Sequence, residues 1–496
     1  MSSSPQRLHP AVLVLEVLTS FRRWFGITSV PWLFVLFRDG LSSSRVLLLL
    51  AVVFISIAAS GVWALLSWRA TVYFVQGNAF HFKRGVIGKN ERTVPLDHIQ
   101  SVDTVQGPVQ RLFGIVEVRV ETAGGGGKAA DVSLAAVARP AARELQRELA
   151  PRRPSTAADS SEVIAPIPAP VRRLSTGRLL LAGATSGQIG VALPIIFTFS
   201  QLFDDILTPD FLMSFAHDLL PGSVAAIVVI AGGVLLLAWL VAVAGTVLAY
   251  AGFSLSRDED SLRITRGLLE RREVTIPINR IQAVQVVENV LRQPLGLVLV
   301  KMESAGYGAD AGVSTTLFPL LRRSEVEAFL QATAPEFAVS PVLQRLPARA
   351  RPRYMFRSAL PLLGFALPTS AALVWQNRPE LAPLPFVLVA VGAMYGLLRF
   401  RGVGWALASG RLVISHRTLS RVTVIAPQRR LQSRSVLRSP FQQRARLASL
   451  VVRVGRGSAF EVADLDADDA DELIHHLGPT GARVTPSSAP APQVGR

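Results

Sequence analysis

The sequence predicts a polytopic membrane protein in which α-helical hairpins, about six spans in all, alternate with three copies of one small β-rich soluble domain. Three observations carry that prediction: apolar runs long enough to cross a bilayer, an internal repeat that follows each pair of them, and an arginine excess on one side of them. Half of the 496 residues are hydrophobic, more than an ordinary soluble protein carries.

An uncharged apolar run of about 18 residues or more covers a hydrocarbon core of about 30 Å. Residues 46–68, 179–203 and 224–253 meet that length, and 358–375 and 384–400 are shorter runs, uncharged up to Arg399. The weakest candidate is 24–37, interrupted by Pro31, which must borrow from flanking sequence or be re-entrant. These runs pair into three hairpins with connections at 38–45, 204–222 and 377–383.

Charge sets the expected orientation. Of 52 Lys and Arg, only Arg38, Arg45 and Arg378 fall in the connections, whereas Asp204, Asp205, Asp210 and Asp218 crowd the second one. Basic residues near spans stay cytoplasmic, so the large segments are expected inside a multi-pass protein of the cell (inner) membrane. The net charge of +17 then records topology first. Nucleic acid is not the expected partner. Apart from Arg399 at the end of one, the five clear spans hold no Asp, Glu, Lys, Arg or His, which weighs against ion-coupled transport. A channel or transporter formed by the six spans is the alternative function. Gly183-x3-Gly187 and Gly392-x3-Gly396 permit close helix contacts and leave an oligomer open.

Residues 84–124 align without a gap on 266–306, at a constant offset of 182, with 15 of 41 positions identical. The shared positions include Gly85, Pro95, Ile99, Gln100 and Gly114, matched by Gly267, Pro277, Ile281, Gln282 and Gly296. A third, diverged copy lies 150 residues further on, placing Pro427 on Pro277, Leu431-Gln432 on Ile281-Gln282, and Arg446 where the others have glycine. The expected segmentation is 1–69 N-terminal segment and first hairpin, 70–150 first domain, 151–177 linker, 178–253 second hairpin and 254–335 second domain. A linker (336–357), third hairpin (358–401), third domain (402–478) and tail (479–496) complete it.

Within a copy the pattern is mostly β. Arg84-Gly85 and Arg266-Gly267 read as turns, because glycine reaches positive φ without steric cost. A β-branched run follows, 93–105 or 274–287, with Pro95 or Pro277 inside it suggesting an edge strand or a bulge. A closing helix is expected, opened in the second copy by Ser324 and Glu327 at capping-box spacing. In the third copy Asp466, Asp468 and Asp469 stand in its first turn and His475-His476 in its last, as the helix dipole prefers.

The run R-G, E, P-[LI]-x-x-I-Q-x-V and then L-G-[LI]-V or its F-G-I-V counterpart, after two spans, resembles the bacterial PH-like domain of the YdbS/YdbT family of membrane proteins. Three domains, each after two spans, are similar to the longer YdbT-type architecture. The resemblance implies a PH-like fold, a strongly bent β-sheet closed by a C-terminal helix. It carries over no catalytic residue, and it implies a role in envelope homeostasis or in resistance to membrane-active agents.

No enzyme chemistry is visible. There is no cysteine, which removes disulfides, thiolate metal sites and cysteine nucleophiles. The seven histidines lack metal-ligand spacing, and the glycines before Lys128 lack the phosphate-loop pattern. No cofactor is expected. The strongest charge feature is the third domain, where 402–460 contains no Asp or Glu but does contain Arg429, Arg430, Arg434, Arg438, Arg444 and Arg446. Each basic residue near an anionic leaflet contributes about 1 kcal/mol of attraction. The expected function is therefore a non-enzymatic scaffold binding membrane lipids or a protein partner in the membrane.

Overall fold

The computed structural model describes residues 5–17, 19, 43–86, 88–122, 132–149, 170–186, 223–304, 316–454 and 458–477. The chain divides into two compact units, Met1–Pro170 with Gly252–Pro277, and Val171–Ala251 with Ile278–Arg496. The division passes through the second repeat.

The first unit contains β1 (Gln6–Arg7), α1 (Ser43–Ala70), β2 (Val72–Gln76), β3 (Ala79–Arg84), β4 (Asn90–Pro95), β5 (Ile99–Gln106) and α2 (Pro108–Leu112). It continues through β6 (Ile115–Thr122), β7 (Val132–Ala138) and α3 (Arg139–Leu149). Strand β8 (Pro170–Arg173) lies at the division, and the first half of the second repeat adds β9 (Ser254–Asp258), β10 (Ser261–Arg266) and β11 (Arg271–Pro277). Strands β1-β2-β3-β4 form one sheet, and β7-β6-β5-β11-β10-β9 lie side by side in that order in another. One apolar core joins Tyr73, Phe80 and Val94 of the first sheet to Val118, Leu134 and Val137 of the second, with Ala142, Leu145 and Leu149 of α3. Leu8, Ala11 and Val12 also enter this core, and Trp68 Nε1 donates to Leu8 O at 2.7 Å. The N-terminal stretch through Val12 thus packs on the first repeat.

The second unit contains α4 (Thr176–Ala184), α5 (Ser223–Tyr250), β12 (Ile281–Glu288), β13 (Leu297–Ser304), β14 (Thr316–Arg322), α6 (Val326–Thr333) and β15 (Gln344–Arg345). The third hairpin, α7 (Arg351–Trp375) and α8 (Leu384–Gly402), leads into β16 (Gly404–Ala408), β17 (Arg411–Arg417) and β18 (Arg421–Pro427). The chain ends its described part with β19 (Leu431–Leu437), α9 (Pro440–Arg444), β20 (Leu447–Val454), β21 (Ser458–Asp466) and α10 (Ala467–His476). Its sheets run β14-β13-β12-β18-β17-β16-β15 and β19-β20-β21. The segment 336–357, read from the sequence as a joint, contains β15 and buries Phe337, Leu346 and Ala350.

In each unit, then, the second half of one repeat shares a sheet with the first half of the next. Strand β5 pairs antiparallel with β11 through Gln106↔Arg271, Val105↔Arg272 and Thr104↔Glu273. Strand β12 pairs with β18 at the equivalent positions, Glu288↔Arg421, Val287↔Val422 and Val286↔Thr423.

The repeated motif marks the corner between the two halves. The long β-branched run is not one strand: β4, β11 and β18 end at Pro95, Pro277 and Pro427, and three-residue 3-10 turns follow. Proline has no N–H to donate and presets φ, so it stops the ladder there. The next strand starts at Ile99, Ile281 or Leu431, each buried. At the following Gln100, Gln282 or Gln432 the register shifts, so the expected bulge lies at the glutamine and not at the proline. Gly85 and Gly267 have φ of 126° and 101°, and an added Cβ would stand 1.9 Å and 2.0 Å from the carbonyl oxygens of Gly88 and Glu270. The expected capping box of the second repeat is not formed: a 3-10 turn at Arg323–Glu325 precedes α6, whose N-cap, Glu325, accepts no side-chain capping bond.

Among the described residues, four helical stretches are long and apolar enough to cross a membrane: Val53–Ala70, Ala231–Tyr250, Ala348–Trp375 and Pro379–Gly402. The run 179–203 begins as α4, but that helix ends at Ala184; the remainder from 187, and the candidate 24–37, lie outside the described residues. The glycine pair of the third hairpin works inside it. An added Cβ on Gly396 would lie 2.4 Å from Tyr354 O, and one on Gly392 would lie 2.6 Å from Leu362 Cδ1, so α8 rides directly on α7.

Candidate anionic-ligand site

The six arginines singled out in the third domain do not form one free face. Arg429 and Arg430, on the 3-10 turn before β19, both reach Glu336, at 2.8 Å and 2.6 Å. Glu336 O also accepts from Arg411 Nε. Arg438 pairs with Asp471 of α10. Of the rest, Arg434 is half-buried on β19, while Arg444 at the end of α9 and Arg446 just after it are exposed. Acids distant in sequence thus neutralise half of the patch.

A different set of basic groups converges at the foot of the third hairpin. Arg349, Arg353 and Arg357 follow one another at four-residue spacing along one side of the α7 entry. Arg349 meets Asp466 at 2.6 Å, and Arg353 meets Asp464 at 3.0 Å. Asp464 is buried and also accepts from Gln442 Nε2 at 2.9 Å. Arg357, one turn further along and next to the uncharged stretch, forms no ion pair among the described residues. Its guanidinium lies 5.2 Å from the centre of the Tyr354 ring.

Arg399 approaches from α8. It sits 5.9 Å from the same ring and 5.8 Å from that of Tyr395, and its Nε donates to Arg417 O at 3.4 Å. The stem of Arg417 covers Gly402, where a Cβ would collide with it at 2.5 Å; the glycine is therefore what lets Arg417 cross the end of α8. Tyr354 is fixed from below by its hydroxyl, which donates to Ala463 O at 3.0 Å. Together Tyr354, Arg357, Arg399, His416, Arg417 and Phe460 bound a cleft of about 320 Å³, with the exposed Glu461 at its rim. His416 is partly buried beside Arg399, and burial first, then that charge, holds its pKa below the ordinary histidine value. It is a neutral wall at pH 7. Three guanidinium groups that form no ion pair among the described residues line the cleft, and arginine can give a phosphate or carboxylate two parallel hydrogen bonds.

These residues were not selected from the sequence, because Arg357 and Arg399 read there as the charged limits of spans. Their distance of 42 positions hides that they bracket the same end of one hairpin. A second polar centre was also missed. Arg292 is buried and donates to Thr185 Oγ1 at 3.0 Å, Pro319 O at 3.1 Å and Ala182 O at 3.1 Å. Its pKa is pushed down to about 10 by burial. With Thr185 N on Leu181 O, Ser186 N on Gly183 O and Trp239 Nε1 on Ala184 O, it gives each of the last four carbonyls of α4 a donor. The signal available was that both other copies have glutamine there, Gln110 and Gln442.

A family model described as the bacterial PH domain matches residues 16–153, 208–336 and 359–480. The chain is also 30% identical over 492 residues to the UPF0699 transmembrane protein YdbT of Bacillus subtilis (strain 168), which covers 96% of this chain and 98% of the relative. No solved structure matches it.

Proposed function

The chain belongs to the bacterial PH-domain family, a family of transmembrane proteins and not a known enzyme family, and from that premise we propose that its third repeat holds an anionic lipid headgroup. The observation that carries the reading is the cleft bounded by Arg357, Arg399 and Arg417 where the apolar stretches of α7 and α8 begin and end. A headgroup phosphate at that level reaches three cations while its acyl chains follow the exposed apolar flanks, which include Phe356 and Leu398. The half-buried Tyr395 suits the same interface, where amphipathic rings accumulate.

On this reading the protein is a non-enzymatic scaffold with six spans, its PH-like domains closed by C-terminal helices and facing the cytoplasm of a cell membrane. It serves envelope homeostasis or resistance to membrane-active agents. The arginine distribution supports the orientation, and reporter fusions after Gly124, Gly306 and Gly457 test it; one external reporter defeats it. The lipid reading is tested with the full chain reconstituted in zwitterionic bilayers with and without an anionic phospholipid. At about 1 kcal/mol per arginine, replacing Arg357, Arg399 and Arg417 by glutamine removes about 3 kcal/mol, roughly two orders of magnitude in affinity. Unchanged retention of anionic lipid by the triple variant refutes it.

A further inference from the structure

We infer that the outer edge of β19 is a docking site for one antiparallel strand of a different protein, and that this strand carries Asp or Glu where it faces Arg438. Two interfaces in the chain already define the geometry. Strands β5 and β12 each take, on the edge away from their own hairpin partner, the last strand of the next repeat's first half. Strand β19 is the third member of that series, and among the described residues no strand lies along its outer edge. The two repeat offsets place Arg434 to Arg438 on Val284 to Glu288 and on Val102 to Gln106.

Burial records the missing neighbour. Val105 and Val287 are 5% and 9% exposed, whereas their equivalent Leu437 is 39% exposed.

Charge says what the neighbour must be. At the end of β5 and β12 stands an acceptor held by a cation from just after the hairpin: Gln106 Oε1 accepts from Arg139 at 2.5 Å, and Glu288 meets Arg323 at 2.8 Å. Each of these acceptors faces an arginine of the incoming strand, Arg271 or Arg421. In the third repeat the polarity is reversed. Arg438 occupies the acceptor position, Asp471 replaces the cation, and Arg438 Nε is buried without a hydrogen-bond partner among the described residues. An incoming strand with an acidic residue completes that arrangement. A second copy of this chain does not, because its strand β4, which ends a sheet among the described residues, would bring Lys89 to the same place.

The experiment uses the full chain in detergent and three labelled peptides, read by fluorescence anisotropy. One has the sequence of β18, residues 421–427; the second is the same peptide with Arg421→Glu; the third covers residues 89–95. The Arg421→Glu peptide is expected to bind about fivefold more tightly than its parent or better, since opposed and like cross-strand charges differ by about 1 kcal/mol or more. In the Arg438→Glu/Asp471→Arg chain the preference is expected to invert. Equal affinity of the first two peptides, binding by neither, or a preference that survives the charge reversal overturns the proposal. Tightest binding by the 89–95 peptide also overturns it, in favour of self-assembly.

Discussion

Replacing Arg446 by glycine is expected to stabilise the third repeat. Arg446 has φ of 50°, in the place where Gly114 and Gly296 have 64° and 61°. A left-handed backbone costs an L residue about 1–2 kcal/mol, of which glycine's larger unfolded freedom takes back roughly 0.5–1. The net gain is about 0.5–1 kcal/mol. Nothing else of weight is lost, because the hydrogen bonds of Arg446 are made by its backbone: its N donates to Gln443 O at 3.1 Å, and its carbonyl accepts from Ala467 N at 3.1 Å and Arg349 Nη2 at 3.1 Å. The reciprocal Gly114→Ala and Gly296→Ala isolate the same backbone cost, since no atom stands within 4 Å of the added Cβ. Each should lose about 1 kcal/mol. Amide hydrogen exchange in β20 and β21 is the suitable assay, because a chain of two units need not unfold in one step. A gain near 1 kcal/mol raises protection about fivefold. Unchanged or lower protection in Arg446→Gly, with Gly114→Ala destabilised as expected, refutes the backbone argument.

Glu288→Arg is expected to cost about 3 kcal/mol or more, because it sets a buried cation against Arg323 and Arg421. Adding Arg421→Glu should recover part of the loss, and exchange protection in β12 and β18 measures both. His416 gives an acid sensitivity of known sign. Its folded pKa lies below the ordinary value of 6.5, so the unfolded state binds more protons between the two, and stability falls as pH drops through that window. His416→Gln should flatten the thermal midpoint between pH 7 and pH 5; an unchanged slope would assign the effect to other groups.

Much of this architecture was legible because duplication writes itself as identity. The offsets of 182 and 150 placed Pro95, Pro277 and Pro427 on one another, and those prolines do end equivalent strands. What the run 93–105 concealed is that its two parts enter different sheets, since Val94 and Val102 have the same β-branched character on either side of the corner. Pairing between repeats was also hidden: nothing local in Arg271-Arg272-Glu273 announces that it lies beside Thr104 to Gln106. For the arginines the difficulty was counting by proximity in sequence. Glu336 and Asp471 sit outside the acid-free stretch and neutralise three of the six, while Arg357 and Arg399 sit outside it and remain without ion pairs among the described residues.

The shared sheets change what a repeat means in this chain. A PH-domain copy is usually pictured as a closed module on a tether, yet the compact units divide the second copy at Pro277/Ile278 and join each half to a neighbour. Stability in such an array comes from nearest-neighbour interfaces, and its terminal elements need edge protection because they lack a neighbour on one side. Charged side chains on an edge strand are one such protection, and β19 carries Arg434, with Arg438 directly after its last residue. Part of the arginine excess in the last copy therefore has a source distinct from both topology and lipid attraction. It discourages indiscriminate strand pairing while leaving the edge open to a strand of opposite charge. The same reasoning explains why Arg438 could reverse the polarity found at Gln106 and Glu288 without leaving a bare cation: Asp471 changed sign with it.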